Sequence, residues 1–317
     1  MHNALNTFLF AFNITAPIFV MLFLGVWLKK RKLINDEFIS CASRLVYTIG
    51  LPVMLFSTSA TADLSHITDW NLLIAFGVMT FVVFTGSLLS ARWHCKDVRD
   101  QGVFIQGAFR GNLAILGLAF CANAYGEQGL ALASLPVAMT VVLYNIMSVY
   151  VLNRSLHYAR DAIGPTVKGI VKNPLIIAIF LGFAVNALAI KIPGILLESG
   201  KYLSQMVLPL ALICIGGALT FSGLTRIDSA TLGACIWKLI LSPLIACGIA
   251  IALGLNGDAL VILFLLAATP TATISFVMVQ AMKGNSELAA NIIAQTTLWS
   301  LLTVTLGMWL LQVMNLV

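Results

Sequence analysis

Two stretches of this 317-residue chain place polar groups and helix breakers inside otherwise apolar sequence. The first reads Gln106-Gly107-Ala-Phe-Arg110-Gly111-Asn112-Leu-Ala-Ile-Leu-Gly117, the second Ala-Ala-Thr269-Pro270-Thr271-Ala-Thr273-Ile-Ser275. Neither holds a carboxylate, a histidine or a cysteine, so acid–base, covalent and metal chemistry lack their usual side chains. No enzyme activity and no cofactor are expected. What the stretches do hold is a guanidinium, amides and hydroxyls, groups that bind without reacting. Pro270 removes a helical hydrogen bond and clashes with the preceding turn, leaving carbonyls to be satisfied elsewhere. A helix restarting after such a break aims its N-terminal amides, a partial positive charge, into the gap. That construction favours an anion.

The elements that carry these stretches follow from composition. Hydrophobic residues make up 60% of the chain and charged residues only 9%, against about 25% charged in soluble domains. Such a chain is an all-α, polytopic membrane protein embedded in the lipid bilayer. Its net charge of +6 lies mostly in short loops and does not point to nucleic acid. Hydropathy windows of about 20 residues place ten spans, near 6–28, 38–61, 71–91, 102–123, 130–152, 173–190, 202–221, 231–253, 258–281 and 289–314. Counting about 1.5 Å per residue from Asp258 puts Thr269-Pro270 about 17 Å deep, close to the midplane.

The chain also repeats itself. Pro17-Ile-Phe-Val-Met-Leu-Phe-Leu-Gly25 matches Pro174-Leu-Ile-Ile-Ala-Ile-Phe-Leu-Gly182 at an offset of 157, and Leu51-Pro52 falls on Leu208-Pro209. The same offset carries Asn112 onto Thr269, so both copies concentrate their irregularity at equivalent depth. With the N-terminus outside, inner loops hold Lys29, Lys30, Arg31, Lys32, Arg92, Lys96, Arg99, Arg154, Arg160, Lys168, Lys172, Arg226 and Lys283, and outer loops only Lys191 and Lys201. The positive-inside bias therefore predicts both termini outside. Five spans per half is an odd number, so residues 1–157 and 158–317 form two inverted five-helix repeats, with helices 4 and 9 discontinuous. Lys29–Lys32 follow the first span rather than precede it, so no cleavable signal is expected.

All twelve acids and all four histidines lie in loops or at span ends, while the hydrocarbon region holds Arg44, Arg110 and Lys238. Arg44 and Lys238 sit within about two turns of the inner ends, where snorkelling and structural roles are expected. Arg110 is either a counter-charge for an anionic substrate or a side chain reaching for the inner vestibule. Without a buried carboxylate or His relay, obligatory proton coupling is disfavoured. Sodium held by carbonyls and hydroxyls stays open. Tyr144-Asn145 and Gln295-Thr296-Thr297 with Ser300 either line a cavity or bond neighbouring helices. Six scattered cysteines show no metal or disulfide spacing.

These residues carry a family resemblance over almost the whole chain. Leu51-Pro52, Gly111-Asn112 with Leu116-Gly117-Leu118, Tyr125-Gly126-Glu127, Tyr144-Asn145, Leu208-Pro209 and Thr269-Pro270-Thr271-Ala272 resemble the auxin efflux carrier family. The resemblance implies a scaffold of spans 1, 2, 6 and 7 and a transport domain of spans 3–5 and 8–10, in which spans 4 and 9 cross. It implies elevator-like alternating access, homodimers and organic carboxylate substrates, with Asn112 and Asn145 facing substrate and Pro270 marking the crossover. One position departs: Gly117-Leu118-Ala119 stands where the family has Gly-Leu-Pro, which predicts a less sharply broken span 4.

The expectation is a carrier or uniporter exporting small organic anions across a bacterial-type inner membrane. Its expected site comprises Arg110, Gly111, Asn112, Tyr144, Asn145, Thr269, Pro270, Thr271, Thr273 and Gln295. The alternative is a sodium-coupled anion symporter of the bile-acid symporter type.

Overall fold

A computed structural model describes residues 2–61, 70–156, 174–218, 228–314 and 316. The predicted loop bases Arg160, Lys168, Lys172 and Arg226 lie outside the described residues, as do Asp63, Asp69, Asp161, His66, His157 and the junction of the two expected repeats. Every named element is helical: α1 (His2–Lys30), α2 (Asp36–Thr61), α3 (Trp70–His94), α4 (Val98–Phe109), α5 (Leu118–Leu156), α6 (Pro174–Ala187), α7 (Gly194–Ala218), α8 (Ser229–Ala252), α9 (Gly257–Ala267), α10 (Ile274–Ala281) and α11 (Ser286–Val313). Six helical stretches among the described residues are long and apolar enough to cross a membrane. With no water in hydrocarbon, the backbone must satisfy itself, which is why apolar sequence of this length settles as helix.

Three helical stretches contain one widened turn each: Val46–Gly50 within α2, Leu113–Gly117 leading into α5, and Trp237–Leu241 within α8. Such π turns carry one extra residue and recur at functional sites. In α5 the chain changes direction at Gly126, which holds φ 59 and ψ −137, a backbone state open mainly to glycine. The arms on either side fold back tightly: a side chain at Gly129 would collide with the Cys121 carbonyl. One continuous stretch, Leu113–Leu156, therefore supplies both the end of predicted span 4 and predicted span 5.

The helices pack in two groups. In the first, α1 lies along α7 and α2 along α6; in the second, α3, α4, α5, α8, α9 and α11 pack around one another, and α1 joins the two by also lying along α11. The first group obeys the sequence repeat. Gly25 on α1 admits the Ile213 carbonyl of α7 where a side chain would stand, and Gly182 on α6 admits the Phe56 carbonyl of α2. Shifting by 157 residues carries Gly25 onto Gly182 and Phe56 onto Ile213. Small residues let membrane helices approach this closely.

A cleft of about 1100 Å³ opens between the two groups, lined by Ser57, Gln205 and Leu208 on one wall and Ala119, Asn123 and Leu130 on the other. The six cysteines are free: Cys41 is exposed, Cys95, Cys121 and Cys214 are buried, and Cys235 and Cys247 are half-buried. Burial, with help from the Asp100 and Asp228 carboxylates, pushes the Cys95 thiol up to about 12. It is therefore uncharged at neutral pH and a poor nucleophile.

Candidate functional site: the crossing of two broken helices

The chain leaves helical geometry between α4 and the turn at Leu113, and again between α9 and α10. Arg110 (φ −83, ψ 97) is extended, and Asn112 (φ −81, ψ 66) is neither extended nor helical. Their segment runs antiparallel to the one around Thr271, and Gly111 and Thr271 form an isolated bridge. The Asn112 amide donates to the Pro270 carbonyl at 2.8 Å, and the Ala272 amide donates to the Arg110 carbonyl at 3.0 Å. Two breaks that would each strand backbone groups in hydrocarbon thus satisfy one another. The offset of 157 maps Asn112 onto Thr269, whereas the crossing centres on Gly111 and Thr271.

The threonines of the second break cap helix ends. Thr269 donates its hydroxyl to the Leu266 carbonyl at 2.8 Å, and Thr271 donates to the Gly107 carbonyl at 2.7 Å. Both acceptors lie in the last turns of α9 and α4, where carbonyls lack intrahelical partners. The Thr271 amide donates to the Thr296 hydroxyl of α11 at 3.1 Å. Gln295, one residue earlier, accepts from Trp299 on its own helix at 3.0 Å. Thr273 is half-buried, and its carbonyl accepts from the Phe276 amide.

Arg110 is buried and turned toward α5. One terminal nitrogen donates to the Tyr144 carbonyl at 3.2 Å and to the Ser148 hydroxyl at 2.9 Å, and the other donates to Asn145 Oδ1 at 2.7 Å. Tyr144 and Asn145 therefore join the site through this guanidinium. The Tyr144 phenol lies beside the Gly111 backbone and Thr80, and its ring meets that of Phe109 edge-on at 5.4 Å.

The expected snorkelling of Lys238 is not what the structure shows. Lys238 is 0% exposed, and its ammonium donates to the Ala267 carbonyl at 2.9 Å. The Ser242 hydroxyl donates to the same carbonyl at 3.3 Å. The reason is local: the π turn Trp237–Leu241 redirects the face, and the Trp237 ring seats against Gly86 of α3 with its Nε1 donating to Ser90 at 2.8 Å. That anchor leaves the next side chain pointing inward. Arg44, by contrast, is exposed. Span 4 also breaks fully without its proline, because the break falls before Gly117-Leu118-Ala119 and is held by pairing with the other helix.

Asn112 is 6% exposed, and its Nδ2 is buried with no hydrogen-bond partner; Gln106 Oε1 and Ser275 Oγ are in the same condition. The one ion pair among the described residues joins Lys29 to Asp36, far along the chain from either break. Two buried basic side chains, three unpartnered polar atoms and the start of a helix on each segment thus gather around one crossing that holds no carboxylate.

The family model for membrane transport proteins matches residues 10–167 and 160–308. An uncharacterized transporter of Methanothermobacter thermautotrophicus is 28% identical over 92% of this chain and 95% of its own length. An uncharacterized transporter of Methanocaldococcus jannaschii is 25% identical over 94% of this chain and 98% of its own. A Rhizobium meliloti protein named "putative malonate transporter" is 27% identical over 95% of each. With a multi-helix apolar chain and a family model covering nearly its whole length, the protein belongs to the membrane transport protein family, that of the auxin efflux carriers.

Proposed function

We propose that this membrane transporter is a carrier or uniporter for small organic carboxylates, with the crossing of α4–α5 and α9–α10 as its binding site. The observation that carries the reading is the buried, unpartnered Nδ2 of Asn112 at a crossing supplied with two cations and no anion. An unsatisfied buried donor costs about 1–3 kcal/mol, and a carboxylate oxygen would satisfy it. The helix starts at Leu113 and Ile274 add partial positive charge on the same side of each break. Asn112 and Thr273 are the groups free to orient the anion. Arg110 contributes charge while clamping α5, and Thr269 and Thr271 keep the broken ends satisfied.

The reading includes ten spans in two inverted repeats, residues 1–157 and 158–317, with both termini outside and a homodimer as the assembly. The swapped contacts Gly25–Ile213 and Gly182–Phe56 support a two-fold relation between the halves. The group of α1, α2, α6 and α7 would stay fixed while the group bearing the crossing moves, and the cleft between them is the path. In a bacterial inner membrane the interior is negative, so export of one negative charge gains about 2.3 kcal/mol per 100 mV. Export then needs no coupled ion and no catalytic residue.

The test is counterflow of radiolabelled mono- and dicarboxylates into proteoliposomes, with malonate among them because of the Rhizobium relative's name. Wild-type protein should exchange at least one of them, and Asn112→Ala should lower the rate about tenfold or more, in line with the loss of one donor to a charged group. Flux left intact by both Asn112→Ala and Arg110→Ala would sink this site.

A further inference from the structure

We infer that the Lys238 ammonium is a built-in cation of the crossing, seated where a soluble coupling cation would otherwise have to bind. The inference rests on the carrier reading above and extends it to ion dependence. In transporters with broken helices, unwound carbonyls and the C-terminal ends of half-helices are the places that hold sodium. Here such an end is occupied from within the chain. The Ala267 carbonyl closes α9, and it accepts from Lys238 Nζ at 2.9 Å and from the Ser242 hydroxyl at 3.3 Å.

The ammonium also touches the other broken helix. A Cβ built on Gly111 would lie 3.1 Å from Lys238 Nζ and inside van der Waals contact with the Thr269 hydroxyl. Carbonyl, hydroxyl and ammonium therefore converge on the point where the two breaks cross. Among the described residues no carboxylate pairs with this charge, and no group of three or more potential metal-ligating side chains exists. The negative end of the α9 dipole is the compensation, and a cation at a helix C-terminus is stabilised by it. A second monovalent cation within about 4 Å of the ammonium would be repelled, weakening its binding by on the order of a thousandfold at an effective dielectric near 20. Lys238 Nζ already fills the Ala267 carbonyl, so no seat is left there for sodium.

The experiment compares wild type with Lys238→Ala in two assays. In the first, the melting temperature of detergent-purified protein is followed in choline, sodium and methylammonium chloride at about 100 mM, since ligands that bind the folded state raise it. Wild type should melt alike in all three, while Lys238→Ala should melt lower in choline and recover by several degrees in sodium or methylammonium. In the second, carboxylate flux should be sodium-independent for wild type. For Lys238→Ala it should fall about tenfold or more in choline, recovering partly with either small cation. Should Lys238→Ala not purify, Lys238→Gln keeps a donor for the Ala267 carbonyl and carries the same comparison. A wild-type melting temperature raised by sodium, or a Lys238 variant indifferent to all three cations, would overturn the inference. Absence of any wild-type carboxylate flux defeats the carrier reading instead, and leaves the melting assay to decide the cation seat.

Discussion

The two breaks do the same job with different parts. The break after α9 contains Pro270 and takes its cation from another helix, Lys238 of α8; the break after α4 has no proline and supplies its own cation, Arg110. Both end at the same pair of backbone hydrogen bonds, Asn112 to Pro270 and Ala272 to Arg110. The proline-free break is as complete as the other. A membrane helix is therefore interrupted by what its free groups can pair with across the fold, and proline is one convenience among several.

The largest expected effect follows from Arg110. Replacing it with Leu removes the donor to the Tyr144 carbonyl, Asn145 and Ser148, each a bond to a charged group, so stability should fall by about 3 kcal/mol or more. A detergent melt unchanged by Arg110→Leu would show that α5 does not depend on this clamp. Next comes Gly111→Ala, whose new Cβ meets the Thr269 hydroxyl. Overpacking of this kind costs about 2 kcal/mol, and Thr269→Ala in the same chain should return part of it. Additive losses in the double variant would mean the two breaks are not in contact there.

Thr271→Val keeps shape but strands the Gly107 carbonyl, for an expected loss of about 1.5 kcal/mol. The smallest effect is reserved for the residue that looks most consequential in the sequence. Pro270→Ala should change stability by less than about 1 kcal/mol, because the crossing bonds involve its carbonyl and not its ring. If Pro270→Ala instead rivals Arg110→Leu in a melt, proline does hold the second break and the two breaks differ in kind.

Much of the crossing is legible in the amino-acid sequence. Asn112 and Thr269-Pro270-Thr271 stand out because polar groups and breakers in an apolar span demand a reason, and Gly126, where the chain reverses, falls between the predicted spans 102–123 and 130–152. Lys238 is not legible in the same way. Its distance from the span end suits snorkelling, and only the π turn and the Trp237 anchor on Gly86 and Ser90 turn it inward. No residue spacing announces a π turn. The roles of Thr269 and Thr271 are hidden for a related reason: a hydroxyl near a break can face a solute or a carbonyl, and only the placed helix ends decide. The missing proline suggests a mild break in span 4, yet the partner of that break lies 160 residues away at Thr271, beyond what local sequence can express.

The π turn in α8 has a genetic corollary. A π turn is an α-helix with one surplus residue, so a single-residue deletion there leaves the flanking segments 229–236 and 242–252 facing as before. Deleting Lys238 would remove the surplus and the ammonium together, leaving an unbroken helical register. Deleting Ala246, in a regular stretch, would rotate everything after it by about 100°. A deletion scan through α8 should accordingly find one gap in which the protein still reaches the membrane, and it should fall on 237–241.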